Sequence, residues 1–155
     1  MKVEQLMSRD VKTCTPEDRL NRAAQLMWEH DVGCVPVVSN GIVVGVITDR
    51  DVCMAAYTQG RALHEIPVGQ VMVAQVQTCT PGDTLETASA VMKRHQVRRL
   101  PVVRPNRELA GILSMADLTR GAEAEPNQRV REQYLHQVEA TLAAVTRPRP
   151  TRVTA

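Results

Sequence analysis

The apolar positions of this chain fall into short, punctuated runs, and the runs recur. Val11–Thr15 alternates like a strand and is closed by Pro16. Leu20, Ala23, Ala24 and Met27 follow at spacings of three and four, which predicts a helix over 19–30 with that inner face. Asp18 stands where a helix cap is needed, and Trp28, beside Met27, is expected to cover the helix edge. Asp31-Val32-Gly33 breaks the helix. The β-branched run Val35–Val38, the Asn40-Gly41 turn and Ile42–Thr48 predict a hairpin, and a second helix follows over residues 50–58, ending before Gly60. The order is β-α-β-β-α, preceded by a short apolar piece, Val3–Met7.

The same order then returns. Residues 3–39 realign on 68–104 at an offset of 65, so that Val11-Lys12-Thr13-Cys14-Thr15-Pro16 becomes Val76-Gln77-Thr78-Cys79-Thr80-Pro81. One extra residue intrudes, and Gly45…Asp51 matches Gly111…Asp117 at an offset of 66. The second copy predicts a strand over Val76–Thr80 and a helix capped by Asp83, with inner face Leu85, Ala88, Val91 and Met92. A hairpin of Leu100–Arg104 and Leu109–Ser114 turns at 105–108, and a helix starts near Met115. A unit of about 50 residues is marginal on its own, so two subdomains, 1–62 and 63–122, are expected to share one core. Pseudo-twofold packing would leave two related clefts. Residues 123–155 differ: Gln128–Val145 is a candidate helix with a stripe of Val130, Tyr134, Val138, Leu142 and Val145 that needs a partner. The Pro-rich basic end from Arg147 is expected to be disordered. The fold class is therefore α/β (α+β): two β-α-β-β-α repeats plus a C-terminal helix.

Composition narrows the function. Hydrophobic residues make up 43% of the 155, but Trp28, Tyr57 and Tyr134 are the only aromatics. A core of Val, Leu, Ile, Met and Ala follows, and aromatic platforms for single-stranded nucleic acid are nearly excluded. A net charge of +2 is no nucleic-acid signature. No apolar run approaches the ~20 residues that span a bilayer, and the first residues lack a signal-peptide stretch, so the expected compartment is the cytoplasm. Cys14, Cys34, Cys53 and Cys79 show no Cys-x-x-Cys spacing and read as buried small hydrophobes. His30 and His95 recur at the end of the first helix of each copy, where a cation favours the helix dipole. No nucleophile elbow, catalytic triad order or phosphate-binding Gly-rich loop is present, so no enzyme is expected.

The chemistry sits in Gly45-Val-Ile-Thr48-Asp-Arg50-Asp51 and Gly111-Ile-Leu-Ser114-Met-Ala-Asp117. Each places a hydroxyl at a strand end and a carboxylate three residues on, at a helix start. A helix N-terminus offers free N–H groups to phosphate, and an Asp can accept hydrogen bonds from vicinal ribose hydroxyls. The simpler reading is that Thr48 with Asp51, and Ser114 with Asp117, are capping boxes. Duplication beside Val-Pro-Val runs favours a binding role.

With the Pro36…Asp51 segment, its copy Pro101…Asp117, and the Thr13-Cys-Thr-Pro16 and Thr78-Cys-Thr-Pro81 entries, the chain resembles a stand-alone pair of CBS motifs, or Bateman module, over roughly residues 3–120. The resemblance implies a regulatory module that binds an adenosine-containing ligand (AMP, ADP, ATP, S-adenosylmethionine or NAD) in clefts between the repeats and signals in trans. It requires no cofactor. Asp51 and Asp117 would accept the ribose hydroxyls, with Thr48 and Ser114 near ribose and phosphate. Thr13 and Thr78, with Val11 and Val76, would flank the base. Cys34-Val35-Pro36 and Leu100-Pro101 would form the other wall, and Arg50 would reach phosphate. The second copy has Ala116 in place of Arg50, and Arg98 and Arg99 are expected to replace it from the opposite wall, so the clefts should be inequivalent. The resemblance also implies a stacked homodimer formed through the short helices after Thr48 and Ser114, and an effector protein as a further partner. The alternative is a zinc- or redox-responsive protein using Cys and His on the same scaffold.

Overall fold

Two antiparallel hairpins, one per repeat, organise the molecule. The computed structural model describes residues 1–148; the tail beyond, where disorder is expected, lies outside the described residues. The elements are α1 (Val3–Leu6), α2 (Leu20–Glu29), β1 (Cys34–Ser39), β2 (Ile42–Thr48), α3 (Asp49–Gln59), α4 (Leu85–His95), β3 (Arg99–Val103), β4 (Leu109–Ser114), α5 (Met115–Glu123) and α6 (Gln128–Val145). Two 3-10 turns, Leu63–Glu65 and Val68–Gln70, lie in the connection between the repeats. β1 pairs with β2 and β3 with β4, each antiparallel and each with one register shift, at Val37/Val38 and Val102/Val103. The expected mixed fold with a C-terminal helix is the one observed.

The entry segments are not strands. Each touches its hairpin at a single parallel bridge, Cys14 to Val37 and Cys79 to Val102. Cys14 N–H donates to the Pro36 carbonyl at 3.2 Å, and Val38 N–H donates to the Cys14 carbonyl at 2.8 Å. The next rung on one side needs an N–H from Pro36, and on the other side one from Pro16. Neither proline has one, so the ladder stops at one residue. Pro81 and Pro101 impose the same limit on the second copy.

Asp18 and Asp83 do not cap α2 and α4. Asp18 closes its own turn, accepting from Thr15 N–H at 2.7 Å, and Asp83 accepts from Thr80 N–H at 2.8 Å. The α2 terminus is met by backbone instead: Leu20 N–H donates to the Ile66 carbonyl, and Leu85 N–H in α4 donates to the Met1 carbonyl. Thr84 supplies the side-chain cap of α4, accepting from Thr87 N–H at 3.2 Å.

These contacts expose an exchange of segments. Ser8 bridges Ile112 and Val73 bridges Val46, while Lys2 bridges Thr84 and Pro67 bridges Arg19. Each pair is the image of the other under the repeat. Ile42 meets its own repeat mate, Glu108, where the two hairpins touch. The expectation of one shared core is corrected: two clusters form. The first gathers α2, β1 and β2 with Ile66 and Val68 from the connection. The second gathers α4, β3, β4, α5 and α6 with Val3 and Met7 from the N-terminal segment. The helix faces shift slightly from those predicted. Leu26 is buried where Ala24 is half-buried, Ser89 is buried where Val91 is half-buried, and Trp28 is 89% exposed and covers nothing.

α6 packs across α4 and α5 and buries Val138, Thr141 and Val145; Leu142, expected in its stripe, faces solvent. Its Tyr134 hydroxyl accepts from the N-terminal ammonium at 3.1 Å, and the Gln96 amide donates to the Ala144 carbonyl at 3.4 Å. Part of the α5 surface is thus covered by α6. Among the described residues no helix covers the first repeat in this way, and Trp28, Met54 and Tyr57 are exposed on α2 and α3. Among the described residues no helix is long and apolar enough to cross a membrane.

Candidate functional site

Both strand-to-helix junctions form complete capping boxes. β2 ends extended at Thr48 (φ −116°, ψ 163°), and its hydroxyl accepts from Asp51 N–H at 3.2 Å. In return Asp51 Oδ2 accepts from Thr48 N–H at 2.9 Å and from its Oγ1–H at 2.6 Å. Ser114 and Asp117 repeat this: Oδ2 accepts at 2.8 Å from N–H and at 2.6 Å from Oγ–H, and Ser114 Oγ accepts from Asp117 N–H at 3.3 Å. The capping reading and the binding reading are compatible, because each box uses only one carboxylate oxygen. The other oxygens differ. Among the described residues Asp51 Oδ1 has no hydrogen-bond partner, whereas Asp117 Oδ1 accepts from the Arg120 guanidinium. Asp117 is only 6% exposed.

A cleft of about 410 Å³ lies between the repeats. The first repeat contributes Asp10, Val11, Lys12, His30, Asp31, Val32 and Cys34; the second contributes Arg99, Ile112, Ser114, Asp117 and Arg120. The entry segment of one copy therefore faces the carboxylate of the other. Of the residues read from the sequence, Val11, Cys34, Arg99, Ser114 and Asp117 are brought together here. Thr48, Arg50, Asp51 and Val76 hold the repeat-related positions on the other side of the pseudo-twofold. Thr13 and Thr78 are half-buried and do not line this cleft. Arg98 is exposed and outside it, and its carbonyl accepts from Met115 N–H at 3.0 Å. Arg50 is exposed, and its N–H donates to Asp49 at 2.7 Å.

The wall assignment of Val35 and Leu100 is corrected: both have no exposed surface and belong to the two cores. Strand alternation is the reason, since Cys34 sits on the face opposite Val35 and Val37. Pro36 and Pro101 are also buried. Sequence reasoning missed Lys12, Asp31 and Arg120. Arg120 had a signal, lying one helical turn after Asp117, at the i,i+3 spacing that brings side chains together. Asp31 had none; it takes a left-handed conformation (φ 51°) at the end of α2, as Gln96 does after α4.

The electrostatics are balanced but uneven. Lys12 bonds Asp10 at 2.9 Å and holds that carboxyl below its usual range, first by hydrogen bond and then by charge. Arg120 gives one guanidinium N–H to Asp117. Arg99 makes no ion pair among the described residues and is the cation best placed to meet an anion. Burial pushes the Cys34 thiol up to about 11, with Arg99 opposing and Asp51 and Asp49 adding to the rise. Cys14 and Cys79 are pushed to about 12, again chiefly by burial, with Asp18 and Asp83 adding to it. Thiols so protonated are poor nucleophiles. Among the described residues no group of three or more His, Cys, Asp or Glu is placed to hold a metal ion.

The chain is similar to known proteins in sequence and fold. The CBS domain model matches residues 3–57 and again 68–123. YhcV, a CBS domain-containing protein of Bacillus subtilis (strain 168), is 40% identical over 116 residues, covering 75% of this chain and 81% of its own length. The crystal structure of CBSX2 in complex with AMP is 26% identical with a TM-score of 0.70, covering 79% of this chain and 96% of that one. The crystal structure of Hypoxic Response Protein I with two coordinated zinc ions is 28% identical with a TM-score of 0.71, covering 77% and 98%.

Proposed function

The chain belongs to the CBS domain family, and on that premise we propose that it is a regulatory module that binds an adenine nucleotide or related adenosyl compound between its repeats. The observation that carries this reading is the cleft built from both copies, with a capped carboxylate on one wall and, beside it, the Arg99 guanidinium, which has no ion pair among the described residues. In this reading the base lies against Val11 and Ile112. The ribose hydroxyls donate to Asp117, and the phosphate meets Arg99 and Lys12. A similar protein, CBSX2, holds AMP. A ligand touching both repeats favours one relative placement of them, and that is how binding becomes a signal to a partner in trans. The zinc- or redox-responsive alternative is not favoured, since among the described residues no group of three or more His, Cys, Asp or Glu is placed to hold a metal ion.

The two clefts do different work in this reading. In the aligned repeats Arg50 of the first motif corresponds to Ala116 of the second, and Gly33-Cys34 to Arg98-Arg99.

A thermal-shift panel of AMP, ATP, S-adenosylmethionine and NAD tests the proposal. At a hundredfold excess over Kd the bound ligand should add about 2.7 kcal/mol of stability. Asp117→Asn keeps a carbonyl oxygen for the cap but places an amide donor where the ribose must donate, so the gain at this cleft should vanish. A flat panel with the unsubstituted protein would sink the adenosyl reading.

A further inference from the structure

We propose that Arg120 makes the Asp117 cleft selective for phosphorylated adenosine ligands over the free nucleoside. The inference rests on the adenosyl reading above and adds a residue and a ligand class to it. Asp117 is almost wholly buried and spends Oδ2 on the backbone and hydroxyl of Ser114. Its outer oxygen, Oδ1, accepts from Nη2 of Arg120. The Arg120 side chain is 67% exposed and lines the cleft. A carboxylate oxygen has room for a second donor, so a ribose hydroxyl can share Oδ1 with the guanidinium. Arginine has five N–H donors in a rigid fork, and one of them holds Asp117. The others remain for an anion next to the ribose.

The bond to Asp117 aims the guanidinium before any ligand arrives, so less side-chain freedom is lost on binding. Arg99, on the strand position paired with Ser114, provides a second cation lining the same cleft. For adenosine, Arg120 is only a competitor for the ribose acceptor. For a nucleotide it is also a charge-assisted donor to phosphate, with the bidentate geometry that arginine offers. The first repeat is the internal control, since Met54 stands at the position equivalent to Arg120 and leaves Asp51 Oδ1 without a partner among the described residues.

Calorimetric titration of the full chain with AMP and with adenosine tests this in an Asp51→Asn background, which silences the first-motif site. Arg120→Met installs the first repeat's residue at an exposed position. It should weaken AMP by roughly tenfold or more, the scale of a charge-assisted contact, and leave adenosine within about threefold. Arg120→Lys, which keeps the charge without the fork, should recover part of the AMP affinity. The AMP affinity of Arg120→Met should also fall less steeply with salt. Equal weakening of both ligands would show that Arg120 only positions Asp117, and an unchanged AMP affinity would remove it from the site; either result overturns the proposal. Failure of both ligands to bind the parent would instead overturn the adenosyl reading itself.

Discussion

Gly111→Ala should cost about 3–4 kcal/mol of stability, while the repeat-equivalent Gly45→Ala should cost about 1 kcal/mol. Both glycines sit in the returning strand of a hairpin, where a segment from the other half of the chain lies against the backbone. A Cβ at Gly111 would stand 2.7 Å from the Ser8 carbonyl oxygen and 2.8 Å from Met7 Sδ. Ser8 cannot withdraw cheaply, because its N–H and carbonyl are both bonded to Ile112, each at 2.9 Å. Making room breaks that pair of hydrogen bonds and shifts Met7 in the second core. The three atoms nearest a Cβ at Gly45 all belong to the Met72 side chain, with Sδ closest at 2.5 Å. Met72 is half-buried and its thioether can turn aside. The denaturant midpoints of the two variants measure the difference. Equal losses would mean that the N-terminal segment is not held against β4.

Val3→Asp should unfold the second repeat although Val3 lies at the start of the first. Val3 has no exposed surface and packs in the second core, with its N–H bonded to the Asp83 carbonyl at 2.9 Å. A carboxylate placed there would sit among apolar side chains, and burying it costs several kcal/mol, comparable to the whole stability of a small domain. Ile66→Asp is the complementary experiment, because Ile66 is equally buried, in the first core. Hydrogen exchange reads the location of the damage. Val3→Asp should strip protection first from α4, β3, β4 and α5, and Ile66→Asp first from α2, β1 and β2. Loss of protection in α2 and β1 by Val3→Asp, with α4 spared, would contradict the exchange of segments.

That exchange marks the limit of what the sequence carries. The hairpins, the second helices and the Thr48 and Ser114 caps are legible because turn chemistry and strand alternation are local signals. The apolar character of Val3–Met7 is equally visible, but its partner is not, because nothing local says which of two similar cores it completes. The cleft has the same character. Asp117 and Val11 are each identifiable as candidates, yet their meeting across the repeats follows from the pseudo-twofold. The entry strands failed for a nearer reason, since Pro16 and Pro36 remove the donors of both neighbouring rungs. Val35 and Leu100 were misplaced because a contiguous motif was read as one wall, where a strand sends alternate residues to opposite faces.

A crystal structure of the protein grown with AMP tests the central claim most directly. The account predicts ribose density against Asp117 and Ser114, phosphate density at Arg99, and the base between Val11 and Ile112, with both repeats in contact with one ligand. AMP bound elsewhere, or a cleft holding only solvent at saturating AMP, would contradict it.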